Sequence, residues 1–117
     1  MAAPATTGER EEQQADEVFK ALSDRSRRRL LDTLRASNGQ SLTELCAGLQ
    51  MTRQSVSKHL SVLESAALVA TVRRGREKLH YLNPTPINEI AERWISQYDQ
   101  ERVRALADLK RALESTP

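Results

Sequence analysis

Cysteine occurs once in the 117 residues, at Cys46. A single thiol excludes an intramolecular disulfide scaffold, and a zinc cluster made of cysteines alone within one chain. No apolar stretch approaches the roughly 18 residues that a membrane helix needs, so no transmembrane segment or membrane partner is expected. The opening MAAPATTGEREEQQ has no apolar core region and does not read as a secretory signal, which leaves the cytoplasm as the expected compartment. Paired carboxylates, a phosphate-binding loop and a metal motif are all missing. Ser57 and His59 are close in sequence, but positions i and i+2 on a helix diverge by about 200° and cannot form a nucleophile–base pair. The chain is therefore not expected to be an enzyme. Its length allows one compact domain with a single core.

What is present is a segregation of charge that the net +2 conceals. Residues 1–17 hold one Arg and five acids, for −4; residues 18–83 hold twelve Lys/Arg and five acids, for +7. Residues 84–117 hold five Lys/Arg and six acids, for −1. A basic middle between acidic ends suits nucleic acid or another polyanion, although a solvated basic face would have the same composition.

The local patterns divide the chain into three parts. Residues 1–10, small and polar with Pro4 and Gly8, read as a disordered arm. From about Glu11 to Leu22 the residues Ala15, Val18, Phe19 and Leu22 recur at helical spacing. Ser23-Asp24 interrupts that helix and can cap a second, which carries Leu30, Leu31 and Leu34 to about Ala36. After the loop Ser37–Gln40, Ser41-Leu42-Thr43-Glu44 fits a capping box, opening a short helix with Leu42, Leu45 and Cys46 inward. Gly48–Met51 reads as a tight turn. Thr52 caps the next helix, Arg53 to about Ala66, with Val56, Leu60 and Leu63 on one face. Leu68–Val72 and Lys78–Leu82 are β-leaning around a basic turn Arg73–Arg76. Asn83-Pro84-Thr85-Pro86 ends the hairpin, and a long helix is expected from about Ile87 to Leu113. The expected fold is mainly α with a small β-hairpin, a winged helix-turn-helix over residues 11–83 followed by a C-terminal dimerisation helix in 84–117.

In such a fold the helix after the tight turn is the one that can enter a DNA major groove. With Val56, Leu60 and Leu63 inward, Gln54, Lys58 and Ser61 point directly away, and Arg53, Ser55, Ser57 and His59 flank them. Short hydroxyls, an amide and cations are the groups that meet phosphates and base edges. Thr52 and the free amides beside it suit a phosphate. Gln54 can pair bidentately with adenine, while Ser55, Ser57 and His59 serve bases or phosphates and Lys58 a phosphate or guanine. Arg73, Arg74, Arg76 and Lys78 would lie along the backbone or in a minor groove. Arg27-Arg28-Arg29 spread over about 200° of helix and read as surface and intersubunit residues.

The runs FKALSDRSRRRLLDTL, LTELCAGLQMTRQSVSKHLSVLESAALV and RRGREKLHYLNP resemble the ArsR-type winged helix-turn-helix transcriptional regulators. The resemblance covers residues 15–83 in motif detail and extends to the position of the final helix. Its most specific pieces are Ser57-Lys58-His59-Leu60 and the following Leu63-Glu64. One departure is Asp24-Arg25-Ser26-Arg27, where the family commonly has Asp-Pro-Thr-Arg, a change in helix initiation. The resemblance implies a homodimeric repressor on a pseudo-palindromic operator, dimerising through its first and last helices. Val18, Phe19, Leu22, Trp94, Tyr98, Leu106, Leu109 and Leu113 are the expected interface residues. The apolar surface of the last helix, more than a small domain can cover, supports the same expectation.

Metal-sensing members carry a Glu-Leu-Cys-Val-Cys-like run. Here Glu44-Leu45-Cys46-Ala47-Gly48 keeps only the first thiol, and residues 87–113 contain no His for a second type of site. The two histidines, His59 and His80, lie in the recognition helix and the hairpin. No cofactor and no metal site are expected. Cys46 reads as a buried small hydrophobe and His80 as a structural residue. Three alternatives remain open: an effector or redox response through Cys46, a ligand in the dimer interface, or a winged helix that binds protein. Autorepression is the favoured form of regulation.

Overall fold

The computed structural model describes residues 6–115, with the side chain of Asp99 excepted. Its element order is α1 (Thr7–Leu22), α2 (Arg25–Ala36), α3 (Leu42–Leu49), α4 (Arg53–Ser65), β1 (Val69–Arg74), β2 (Glu77–Leu82), α5 (Thr85–Ile90), a π-helical turn (Ala91–Ile95) and α6 (Ser96–Glu114). This is the expected winged helix-turn-helix, mainly α with one hairpin.

The first helix begins four residues earlier than its apolar spacing suggests. Thr6 caps it by accepting from Glu9 N at 3.2 Å, and Glu9 accepts from Thr6 N at 3.3 Å. This reciprocal pair satisfies two of the orphan amides at a helix start. Residues 7–10 are thus helical rather than part of a disordered arm; residues 1–5 of that expected arm lie outside the described residues.

At the other end of α1, two arginines of α2 close the last turn. Arg27 donates from Nε to Ala21 O at 2.8 Å and from Nη2 to Lys20 O at 3.0 Å, and Arg28 Nη1 reaches Leu22 O at 2.6 Å. Cations at a helix C-terminus satisfy its free carbonyls and oppose its dipole. Arg27 and Arg28 therefore serve as intramolecular caps, and Arg28 is at the same time the exposed surface residue expected from the spread of these arginines around the helix.

The α3 capping box forms as expected, with Ser41 Oγ accepting from Glu44 N at 3.2 Å. The turn after it does not use Gly48, which stays in the helix; Gln50 takes the left-handed conformation at φ 54°. Helix α4 is capped by Thr52 and buries Val56, Leu60 and Leu63. It ends with Ala67 left-handed at φ 59°, Leu68 N donating to Leu63 O and Ala67 N to Glu64 O, each at 3.0 Å. These two bonds are the paired closure of a Schellman motif, made here without glycine.

Strands β1 and β2 pair antiparallel from Val69↔Leu82 to Arg74↔Glu77. Arg73 and Arg74 are thus strand residues, and only Gly75-Arg76 forms the turn, with Gly75 at φ 63°. A positive φ at the first position alone suits the hand of a two-residue hairpin loop. Gln40 adds a short third edge: His80 N donates to Gln40 O at 2.9 Å and Gly39 N to His80 O at 2.8 Å.

The chain divides into two compact units, one up to Pro86 and one from Ile87. In the first, α1 packs on α2 and α4, α3 on α2 and α4, β1 on α4, and β2 on α2 and α3. Val18, Leu30, Leu34, Leu45, Val56, Leu63 and Leu68 are its fully buried large side chains. Beyond the hairpin the single expected helix from Ile87 is helical from Thr85 to Glu114, but Ala91–Ile95 is π-helical. Side-chain spacing carries no signal for that change of hydrogen-bond step.

Candidate nucleic-acid interface

The start of α4 is positioned by two bonds. Thr52 Oγ1 accepts from Ser55 N at 3.2 Å, and Arg53 Nη1 donates to Thr43 Oγ1 of α3 at 2.9 Å. The tight turn between α3 and α4 is thereby braced across its two helices. Along α4, Gln54, Ser57, Lys58 and Ser61 are exposed, and their side chains have no hydrogen-bond or ion partner among the described residues. They occupy one face because Val56, Leu60 and Leu63 hold the opposite face in the core. Ser61, one turn beyond Ser57 and Lys58, belongs to this polar face although it stood outside the expected contact set.

Two expected readers lie off this open face. Ser55 is half-buried. His59 is turned to the α1–α2 corner, its Nδ1 3.3 Å from Arg27 Nη1 and 4.0 Å from Asp24 Oδ1. A guanidinium only donates, so in this contact Nδ1 is the acceptor. His59 thus joins Arg27 in tying α4 to the end of α1. Sequence reasoning missed this because Arg27 and His59 are 32 residues apart. Asp24, the cap of α2, accepts from Arg27 N at 3.1 Å. That bond first, then the charges of His59 and Arg27, hold its carboxyl below the usual 3.8.

The wing presents Arg73, Arg74 and Arg76, all exposed and without a side-chain partner among the described residues. Lys78 differs, being ion-paired to Glu64 of α4 at 3.2 Å. It also lies directly across from Arg73, a like-charge neighbour that Glu64 offsets. Between the wing, α4 and the start of α3 is a cleft of about 350 Å³, lined by Ser41, Thr43, Arg53, Ser57, Glu64, Arg76, Lys78 and His80 among others. His80 is buried, and its Nδ1 is 2.9 Å from Gln40 O, the structural role expected of it.

Cys46 is only half-buried; Leu45 and Leu49 are the inward residues of α3, so the expected inward placement of Cys46 is corrected. Helix phase explains it, since Leu45 and Leu49 are i, i+4 partners and Cys46 lies about 100° off that line. Among the described residues no three or more His, Cys, Asp or Glu are grouped as a metal would need, and no helix is long and apolar enough to cross a membrane.

The residues expected at a dimer interface separate. Val18 is 1% exposed in the core of the first unit and offers nothing to a partner, whereas Phe19 is 48% exposed and Leu22 half-buried. In the second unit Trp94, Tyr98, Leu106, Leu109 and Leu113 are all exposed, as are Ile95 and Val103. Trp94 and Tyr98 stack with ring centres 6.3 Å apart and planes within 6°. At 100° per residue Tyr98, Leu106, Leu109 and Leu113 fall within about 80° of arc; Arg102 lies inside that stripe and Arg104 outside it.

A helix-turn-helix domain family model matches residues 22–72. An uncharacterized HTH-type transcriptional regulator of Bacillus subtilis, YuzN, is 41% identical over 86 residues, which span 68% of this chain and 94% of the relative. The transcriptional repressor SdpR of the same organism is 31% identical over 72 residues, 62% of this chain and 79% of its own. Among solved structures, an ArsR-like transcriptional regulator from Rhodococcus sp. RHA1 superposes with a TM-score of 0.73 at 33% identity, covering 97% of this chain and all of that one.

Proposed function

The chain belongs to the ArsR-like family of winged helix-turn-helix, DNA-binding transcriptional regulators, and from that premise we propose that it acts as a cytoplasmic homodimeric repressor of double-stranded DNA. The observation that carries this reading is the open polar face of α4, Gln54, Ser57, Lys58 and Ser61, beside a wing whose Arg73, Arg74 and Arg76 have no side-chain partner among the described residues. An α-helix fits the major groove, and short hydroxyls, an amide and an ammonium match phosphates and base edges. Gln54 and Lys58 read bases, and Ser57 and Ser61 contact bases or phosphates. Arg53 and the α4 amides beside Thr52 hold the backbone at the helix start. Arg73, Arg74 and Arg76 follow the backbone or enter the adjoining minor groove.

The exposed apolar stripe of α6, with Phe19 of α1, supports dimerisation. A two-fold dimer matches a pseudo-palindromic operator. Repression follows the similarity to SdpR, a transcriptional repressor. The division into a DNA-binding part over 11–83 and a dimerisation helix in 84–117 is part of this proposal, as is action by binding, without a reaction and without sensing metal. The regulated unit includes the protein's own gene.

The test is to capture and sequence genomic fragments with the purified protein, then measure affinity for the recovered site. Gln54→Ala is expected to weaken operator binding by about 1–3 kcal/mol and relax base preference at one position. Lys58→Ala, with the fold intact by circular dichroism, should weaken it further. Undiminished operator affinity in the double variant removes α4 as the reader. Release of DNA by zinc or by a thiol oxidant would overturn the metal-independent reading or favour control through Cys46, respectively.

A further inference from the structure

Glu64 is one of two carboxylates, with Glu77, that line a cleft also carrying Arg53, Arg76 and Lys78. Its Oε1 is sealed from solvent and accepts no hydrogen bond among the described residues. The same oxygen lies 3.2 Å from Lys78 Nζ, which is thus its only charge partner there. An ion pair exposed on both sides opens readily and contributes little. This one is different on the acid's side. Drawing Lys78 away would leave that shielded oxygen without its counter-charge, a costlier state than for a fully exposed carboxylate.

Resting on the DNA-binding reading above, we propose that Glu64 is a positioning residue that withholds Lys78 from the phosphate backbone and pins the wing to α4. The wing's phosphate contacts then come from Arg73, Arg74 and Arg76, and Lys78, though basic and at the interface, is not among them. The Glu64 carboxylate also repels any phosphate entering the cleft. Glu64 therefore lowers binding to unselected sequence, where affinity is nearly all electrostatic, more than it lowers binding to the operator.

The number of phosphates neutralised sets how steeply affinity falls with salt, at about 0.9 in the log–log slope for each. The full chain is titrated by fluorescence anisotropy against a labelled mixed-sequence duplex over a potassium chloride series. Glu64→Gln keeps the shape and removes the charge. Its slope is expected to steepen by about 0.9 per protomer, with tighter binding at low salt. Lys78→Met should leave the wild-type slope unchanged, and the double variant should return to it. A wild-type slope in folded Glu64→Gln overturns the proposal. So does a slope about 0.9 shallower in Lys78→Met, since Lys78 would then already contact a phosphate. Should Glu64→Gln not fold, the Lys78→Met comparison decides by itself. A wild-type chain with no salt-dependent DNA binding instead defeats the DNA-binding reading, a result separate from either variant.

Discussion

Gly48 and Gly39 respond in opposite directions to the same substitution. Gly48 lies inside α3, and a Cβ built on it meets nothing within 4 Å. Alanine there removes conformational freedom from the unfolded chain at no cost in contacts, so Gly48→Ala should stabilise by about 0.5–1 kcal/mol. Gly39 sits at φ +82°, and its Cβ would come 3.1 Å from the Tyr81 hydroxyl. An alanine held in the left-handed region costs about 1–2 kcal/mol even before Tyr81 has to move. Urea titrations of both variants give the signs directly, and a destabilised Gly48→Ala would mean that α3 needs its glycine. In the sequence both glycines read as turn residues. Only the backbone path separates them, because Gln50 rather than Gly48 takes the left-handed position after α3.

At the level of elements, the α1–α2 corner holds the recognition helix in place. Asp24 caps α2, Arg27 closes α1 and touches His59 of α4, so one corner joins three helices. The Asp24 carboxyl is depressed in the folded chain, chiefly by the bond from Arg27 N. A depressed acid adds stability above its unfolded value and loses it as pH falls through the folded one. Asp24→Asn keeps a capping oxygen but not the charge. Wild type should therefore melt above Asp24→Asn at neutral pH, and the gap should close as pH drops through and below 3.8. A gap that stays constant in acid would show that the charge contributes nothing. The cap was legible in Ser23-Asp24. The arginine bonds were not, since helix periodicity sorts residues by face and says nothing of which neighbouring helix end a long side chain will reach.

For the whole molecule, the open stripe on α6 supports the proposed working unit of two chains. Leu106→Glu with Leu109→Glu places charge on exposed apolar positions, so the fold of the first unit should persist. The variant should sediment as a monomer and lose operator affinity, because one protomer engages only half of a palindromic site. Sedimentation at the dimer mass would move the interface elsewhere. The amino-acid sequence by itself determined the element order as far as the hairpin, the caps at Ser41 and Thr52, the inward faces of α2 and α4 and the basic middle. These follow from local rules, namely side-chain period, capping chemistry and summed charge, that need no distant partner. Only the tertiary structure decided which polar residues remain free. Val18 enters the core while Phe19 stays out, His59 turns to Arg27, and Lys78 is held by Glu64. Each outcome depends on a group 14 to 32 residues away in sequence, or on the packing around it, and no local pattern encodes which of two equally polar side chains finds a partner.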